Sequence, residues 1–332
     1  MAKIGVLGAG AWGLSVAIKA ANNGHGITLW GHSETSVSGI NNTHQSPRLT
    51  GVSLPSELSA TQDLTELVAG IDLLVIAVAS SYLEGLIEQL PALPQGIPLV
   101  ILSKGLLERD ASFLISDFFK QKFPSHPYAV LSGPNIALEI AQGKPAASVL
   151  ACEDNKTAEW LQSIFSGPDF RLYRSTDVRG VECGGIFKNV IAIAAGICDG
   201  LDCGDNAKAA LMTRGLSEIQ RVAVFFGGRL ETVGGLSGLG DMMTTCLSPH
   251  SRNRSFGEAC VQTDISNRET FMFENTVEGQ RTISLLATRY PELLKDCPIM
   301  TAVYDVLYRQ LDPQDAIRQL MARELISESD EL

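Results

Sequence analysis

Two polar positions in the second half of the chain stand out because their neighbours are apolar or small. Lys188 lies within VECGGIFKNVIAIAAGICDG, residues 181–200. There Ile186, Val190, Ile193 and Ile197 recur at helical spacing and define a core stripe, and Lys188 falls on another face. Gly184 and Gly185 precede it, and Ala192 follows one turn later. An interior helix glycine costs about 1 kcal/mol relative to Ala, so the spacing suggests a surface that something approaches closely. Two readings stand side by side. In one, the glycines mark a helix–helix contact and Lys188 is solvated at its edge. In the other, Lys188 is a general acid that protonates an oxygen while the adjoining carbon receives hydride, its ammonium stabilising the developing alkoxide.

Asp241 is the isolated carboxylate of GLSGLGDMMTTC, residues 235–246. It is either a helix cap or the partner of a buried cation. Four residues on, HSRNRSFG at 250–257 offers a hydroxyl (Ser251), an amide (Asn253) and two guanidinium groups (Arg252 and Arg254) just before a helix-like segment. Planar donors backed by a helix N-terminus suit a phosphate dianion; the alternative is a cationic surface loop.

At the other end of the chain, Gly8, Gly10 and Gly13 spell GxGxxG directly after KIGVL and before a helix-compatible segment. Gly8 permits the tight turn, Gly10 lets the backbone approach a pyrophosphate, and Gly13 lets helix and strand pack closely. Trp12 inside this loop either shields a cofactor or packs on the sheet edge. Lys104 follows PLVILS and Gly133-Pro134-Asn135 follows YAVLS, both at the carboxyl ends of expected strands, where ligands bind in such sheets. The stretch ITLWGHS, residues 27–33, lacks the acidic residue that usually accepts from the ribose 2′-OH of NAD. Gly31, His32 and Ser33 stand there instead, removing a repulsion against a 2′-phosphate that His32 can also contact. With Glu34 next in line, the expectation is NADP preferred and NAD accepted.

The elements that must position these groups change character along the chain. KIGVLG, GITLW, IDLLVIAV, PLVILS, YAVLSG, PAASVLAC and FRLYRS are apolar runs separated by helix-like segments at 11–23, 80–90 and 111–122. That alternation indicates a parallel sheet covered on both faces. From about residue 181 the pattern reads as helices at 182–198, 206–227, 255–262, 276–289, 299–310 and 313–325. The fold class expected is α/β: a Rossmann-like, doubly wound, mostly parallel sheet over residues 1–180, then an all-α substrate-binding and catalytic domain over 181–332.

Composition narrows the partners. The 332 residues are 45% hydrophobic and 19% charged, with a net charge of −11, which disfavours nucleic acid and anionic lipid. Seven scattered cysteines form no CxxC pair and the five histidines form no ligand set, so no metal is expected and the thiols read as reduced, in a cytoplasm. The N-terminus shows no secretory pattern, no membrane insertion is expected, and the ending SDEL reads as an acidic frayed tail.

Taken together, GAGAWG (8–13), LSKGL (102–106), SGPNIALE (132–139), ECGGIFKNVIAIAAG (182–196), NAKAALMTRGLSEI (206–219), GLSGLGD (235–241), SRNRSFG (251–257) and VEG (277–279) resemble the bacterial biosynthetic NAD(P)-dependent glycerol-3-phosphate dehydrogenases over nearly the whole chain. The resemblance implies reversible reduction of dihydroxyacetone phosphate to sn-glycerol 3-phosphate for glycerophospholipid synthesis, and a homodimer. It implies that Lys188 is the catalytic lysine, that Lys104 touches cofactor and substrate, and that Asp241 orients Lys188 and a substrate hydroxyl. Ser251, Arg252 and Asn253 match the substrate-binding trio, with Arg252 also reaching the cofactor. Gly133, Asn135, Asn189 and Thr245 match further positions beside the substrate. Gly8, Gly10, Ala11, Trp12, Gly13, His32, Ala137 and Glu278 fall on the cofactor side. The chain departs from the usual family pattern at Ala11-Trp12, Asn135 and Ile136. Two rival readings are a reductase of a carboxylate substrate on the same two-domain plan, such as a ketopantoate-type enzyme, and a cofactor-binding regulator without turnover.

Overall fold

The computed structural model describes residues 1–109, 112–262, 271, 276–325 and 327–328; the acidic ending at 329–332 lies outside the described residues. The chain divides into two compact units, Met1–Val181 and Glu182–Leu332.

In the first unit, β1 (Lys3–Leu7) leads through the glycine loop into α1 (Ala11–Asn22), and β2 (Gly26–Trp30) follows, then α2 (Glu34–Ser38), β3 (Leu58–Thr61) and α3 (Leu64–Val68). β4 (Leu73–Ile76), α4 (Ser80–Glu88) and β5 (Leu99–Ile101) continue the alternation. After a hairpin of β6 (Leu106–Arg109) and β7 (Ser112–Leu114) come α5 (Ile115–Lys122), β8 (Tyr128–Ser132), α6 (Ala137–Ala141), β9 (Ala146–Ala151), α7 (Asn155–Phe165) and β10 (Phe170–Ser175). The main sheet has the order β10-β9-β8-β5-β4-β1-β2-β3. All its neighbours pair in parallel except β8 and β9. Strand alternation explains the unbroken apolar runs: Val6, Val75 and Val100 face one core, whereas Leu7, Leu74, Ile76, Leu99 and Ile101 face the other.

Three strands fall outside the sequence expectation. β3 is only LSAT, and it is held by pairing with β2 and by the Asn41 amide, which bridges the backbone of Ala60. β6 and β7 form a separate two-stranded ribbon, so the amphipathic segment expected at 111–122 is helical only from Ile115.

Among its described residues the second unit contains no strand. Its long helices are α8 (Val178–Gly200) and α9 (Gly204–Phe225), and α10 (Leu230–Val233) and a π-helical turn at Leu236–Gly240 lead into α11 (Asp241–Leu247). α12 (Arg252–Gln262) and the helices Glu278–Arg289, Pro291–Lys295, Pro298–Tyr308 and Pro313–Met321 complete it. α8 is long and apolar enough to cross a membrane by length and composition, yet its most apolar stretch is wholly buried within the protein. The stripe of Ile186, Val190, Ile193 and Ile197 is therefore one part of a helix surrounded by protein rather than the inner face of a surface helix.

Helix contacts also account for the glycines of α8. A Cβ on Gly184 would sit 2.9 Å from the Ser237 carbonyl, and one on Gly196 would overlap the Arg254 carbonyl. Across the second contact, a Cβ on Gly257 would overlap the Ile193 carbonyl. At these positions the missing side chains let backbones approach each other. The close approach read from the sequence is one of protein against protein.

Candidate active site

In the first unit, parallel pairing from β3 to β8 sends every residue that follows β1, β2, β5 and β8 to one edge of the sheet. Gly8–Gly13, His32, Lys104 and the Gly133–Ala137 segment therefore share that edge. The strand order reverses between β1 and β4, the switch point where such sheets bind ligands.

Gly8 has φ 121°, and a Cβ there would lie 2.6 Å from the Ala77 carbonyl oxygen at the end of β4. A Cβ on Gly13 would be 2.4 Å from the Gly8 carbonyl and 2.9 Å from the Ala77 side chain. Gly10 differs: a Cβ there meets nothing within 4 Å. Gly10 is the N-cap of α1 and offers no side-chain cap, and the first turn, which begins with Ala11, has no acidic residue. Two glycines close the turn and the third keeps the approach to a helix N-terminus open, which fits the pyrophosphate of a dinucleotide. Trp12 is half-buried against the sheet core, and its Nε1 is buried with no hydrogen-bond partner among the described residues.

After β2, His32 is exposed and edge-on to Trp30, with ring centroids 6.5 Å apart. The Ser33 hydroxyl accepts from the Ser36 N–H as the N-cap of α2, and Glu34 occupies the first turn. Lys104 is half-buried just beyond β5. Beyond β8, Gly133 lies so close to Ser148 on β9 that a Cβ would sit 2.8 Å from its Oγ. Ser148 also donates to Asn135 Oδ1 at 2.5 Å, while Asn135 Nδ2 is buried without a partner among the described residues. Ala137 opens α6, and its carbonyl accepts from the Ser15 hydroxyl of α1 at 2.7 Å. Ser148 is not legible in the sequence. Its role depends on antiparallel pairing of β8 and β9, and no local pattern announces it.

In the second unit, Lys188 and Asp241 are 53 positions apart in sequence but form an ion pair, Nζ to Oδ1 at 2.8 Å. Lys188 also donates to Thr245 Oγ1 at 2.5 Å, and Thr245, one turn after Asp241, donates to the Asp241 carbonyl at 2.7 Å. Lys188 is only 7% exposed and Asp241 2%. Asp241 begins α11 without capping it, so of the two roles considered for this carboxylate the structure realises the partner of a buried cation. The solvated-lysine reading of Lys188 is likewise excluded. A buried carboxylate beside a buried ammonium favours the charged form of each.

The neighbouring Asn189 accepts from Asn253 Nδ2 at 3.0 Å, and Asn253 Oδ1 accepts from the Gly279 N–H at 2.9 Å. A Cβ on Gly279 would collide with the Asn189 carbonyl and Asn253 Oδ1. The half-buried Glu278 opens the same helix. In the SRNR segment, Ser251 Oγ accepts from the Arg254 N–H at 3.2 Å. Arg254 points inward, its Nε 2.6 Å from Asp199 Oδ2 and its Nη2 2.7 Å from Glu258. Of the two guanidinium groups read as phosphate donors, only Arg252 is exposed; Arg254 is committed to ion pairs.

Burial pushes the thiols of Cys198, Cys246 and Cys297 up to about 12, which keeps them protonated at neutral pH. Among the described residues no group of three or more His, Cys, Asp or Glu side chains gathers to hold a metal.

Comparison with known proteins agrees with this geometry over both units. Residues 3–158 match the N-terminal model, and residues 177–318 the C-terminal model, of NAD-dependent glycerol-3-phosphate dehydrogenase. A glycerol-3-phosphate dehydrogenase (NAD(P)+) of Thermobifida fusca is 42% identical over 332 residues, covering 97% of each chain. The crystal structure of a glycerol-3-phosphate dehydrogenase from Coxiella burnetii superposes with a TM-score of 0.89 at 33% identity, covering 97% of this chain and 99% of that one. A ketopantoate reductase from Ralstonia eutropha, at 16% identity and a TM-score of 0.58, shares the fold alone. The chain belongs to the family of NAD(P)-dependent glycerol-3-phosphate dehydrogenases.

Proposed function

We propose that the protein reversibly reduces dihydroxyacetone phosphate to sn-glycerol 3-phosphate, with Lys188 as the general acid. The observation that carries this reading is the buried Lys188 ammonium, paired with Asp241 and bonded to Thr245. When bound over Gly8–Gly13, the reduced dinucleotide supplies hydride to the C2 carbonyl carbon. Lys188 delivers the proton to the carbonyl oxygen, and its charge stabilises the alkoxide as that develops. Asp241 holds the ammonium in place and keeps it charged, and Thr245 fixes its direction. The exposed Arg252 fork binds the substrate phosphate, while Ser251 and Asn253 shape the segment that presents it. Lys104, Gly133, Asn135 and Asn189 complete the substrate contacts, and Ala11, Trp12, Ala137 and Glu278 those of the cofactor.

Mixing the purified protein with NADPH and dihydroxyacetone phosphate tests this directly. Loss of the reduced-nicotinamide absorbance that requires the phosphate ester supports it; turnover of a keto acid in preference to dihydroxyacetone phosphate would overturn it. We further infer that NADP is preferred and NAD accepted, because an exposed His32 stands where a carboxylate would repel the 2′-phosphate. His32→Asp should then move the ratio of catalytic efficiencies toward NAD; an unchanged ratio would remove His32 from the argument. A homodimer in the cytoplasm supplying glycerophospholipid synthesis completes the reading. Sedimentation of the purified protein tests the dimer, and glycerol auxotrophy on gene deletion tests the supply role.

A further inference from the structure

Asp199 lies eleven residues after Lys188 on α8. At about 100° per residue that is three turns, so the two side chains leave the same face roughly 16 Å apart along the axis. Asp199 accepts from Lys208 of α9 through both carboxylate oxygens, at 2.8 and 2.7 Å. It also accepts from Arg254 Nε at 2.6 Å, and the far side of that guanidinium is held by Glu258. Two cations thus face two carboxylates, and all four groups are mostly shielded. Arg254 directly follows Asn253, whose amide donates to Asn189 beside Lys188. α12 is therefore clamped to the helix of the catalytic lysine at two polar points, with backbone crossing backbone at Gly196 and Gly257 between them.

From this arrangement we propose that Asp199 is a positioning residue: through Arg254 it sets the first turn of α12 so that Arg252 meets the substrate phosphate in register with Lys188. Nothing in the cluster touches the reacting atoms. Arg254 is in the phosphate-binding segment by sequence, but its Nε and Nη2 are engaged by Asp199 and Glu258, and what it contributes is the direction of its neighbours. A displacement of about 1 Å in such a segment is enough to cost on the order of 100-fold in efficiency. Because Arg252 is read as meeting the phosphate end of the substrate, whereas most of the proposed dinucleotide contacts gather at Gly8–Gly13, the loss falls chiefly on the phosphorylated substrate. The inference rests on the reading of Arg252 as the phosphate ligand.

The test compares Asp199→Asn, Arg254→Gln, the double variant and Arg252→Ala in steady-state reduction, with circular dichroism reporting the fold. Asp199→Asn and Arg254→Gln are each expected to raise KM for dihydroxyacetone phosphate roughly tenfold and KM for the reduced cofactor by a clearly smaller factor. The double variant is expected to be no worse than the poorer single one, since both remove the same contact. Equal rises in both KM values would mean general loosening and would overturn the proposal, as would additive effects. An unchanged KM for dihydroxyacetone phosphate in a folded single variant would overturn it too. If Asp199→Asn fails to fold, Arg254→Gln decides alone. Arg252→Ala separates the two layers: a large rise there with no change at Asp199 sinks the positioning role only, whereas no rise at Arg252 sinks the phosphate reading beneath it.

Discussion

Replacing Asp241 by Asn isolates what the buried carboxylate does for Lys188. The two side chains are nearly isosteric, so the Nζ–Oδ1 geometry of 2.8 Å can persist with an amide oxygen as acceptor. What is lost is the charge. Breaking a buried ion pair costs about 3–5 kcal/mol, and the remaining hydrogen bond from a charged donor returns about 1.5–3 kcal/mol. The net penalty on the charged form of Lys188 is then about 2 kcal/mol, roughly a thirtyfold shift of its population toward the neutral amine. Protonation of the substrate oxygen needs the ammonium, so the thirtyfold shift should move the alkaline fall in reductive turnover to lower pH in the variant than in wild type. The sign of the pH effect follows: acidification restores the ammonium, so the variant should recover relative to wild type as pH drops from about 8 to about 6. Stopped-flow measurement of reduced-cofactor oxidation across that range, with dihydroxyacetone phosphate in excess, reads both quantities. A pH profile parallel to that of wild type, with no earlier fall as pH rises, would refute the argument.

Other substitutions probe the scaffold. Gly13→Ala places a Cβ 2.4 Å from the Gly8 carbonyl and should collapse the loop, whereas Gly10→Ala meets no atom within 4 Å. The second variant should therefore keep wild-type thermal stability but lose at least roughly tenfold in dinucleotide affinity by calorimetry; tight binding by Gly10→Ala would contradict the pyrophosphate assignment. Glu218, buried in α9, caps the helix Pro298–Tyr308 by accepting from the N–H groups of Ile299 and Met300 at 2.6 and 2.9 Å. Burial pushes its carboxyl up to about 7 against the pull of those two N–H groups. Its folded value lies above its unfolded one, so its stabilisation is complete below the ordinary glutamate range and is lost as pH rises through about 7. In urea unfolding, wild type should lose about 3 kcal/mol more than Glu218→Gln between about pH 5 and about pH 8; parallel losses would exclude the mechanism.

What could be read from the sequence divides along physical lines. The β1–glycine loop–α1 unit was legible because a strand, a turn and a helix start follow one another within 20 residues, and each glycine has a local steric reason. β3 was not, since LSAT carries little apolar signal and becomes a strand only by pairing with β2. Lys188 and Asp241 each stand out in the sequence as polar groups in apolar surroundings, but their pairing across 53 positions is a tertiary fact. The cost of the α8 glycines is legible in the sequence, and of the two readings open there the structure realises the helix contact at Gly184 and Gly196. Between Arg252 and Arg254 the sequence offers no distinction. It takes the ion pairs to Asp199 and Glu258 to turn one of them inward.

The central claim is that Lys188 transfers the proton, and Lys188→Ala in single-turnover reduction with saturating NADPH tests it most directly. The hydride-transfer rate constant should fall by about 100-fold or more, while the dissociation constant for NADPH, measured by fluorescence on the same preparation, changes by less than about threefold. A variant that binds cofactor normally and still transfers hydride within about tenfold of the wild-type rate would contradict the claim.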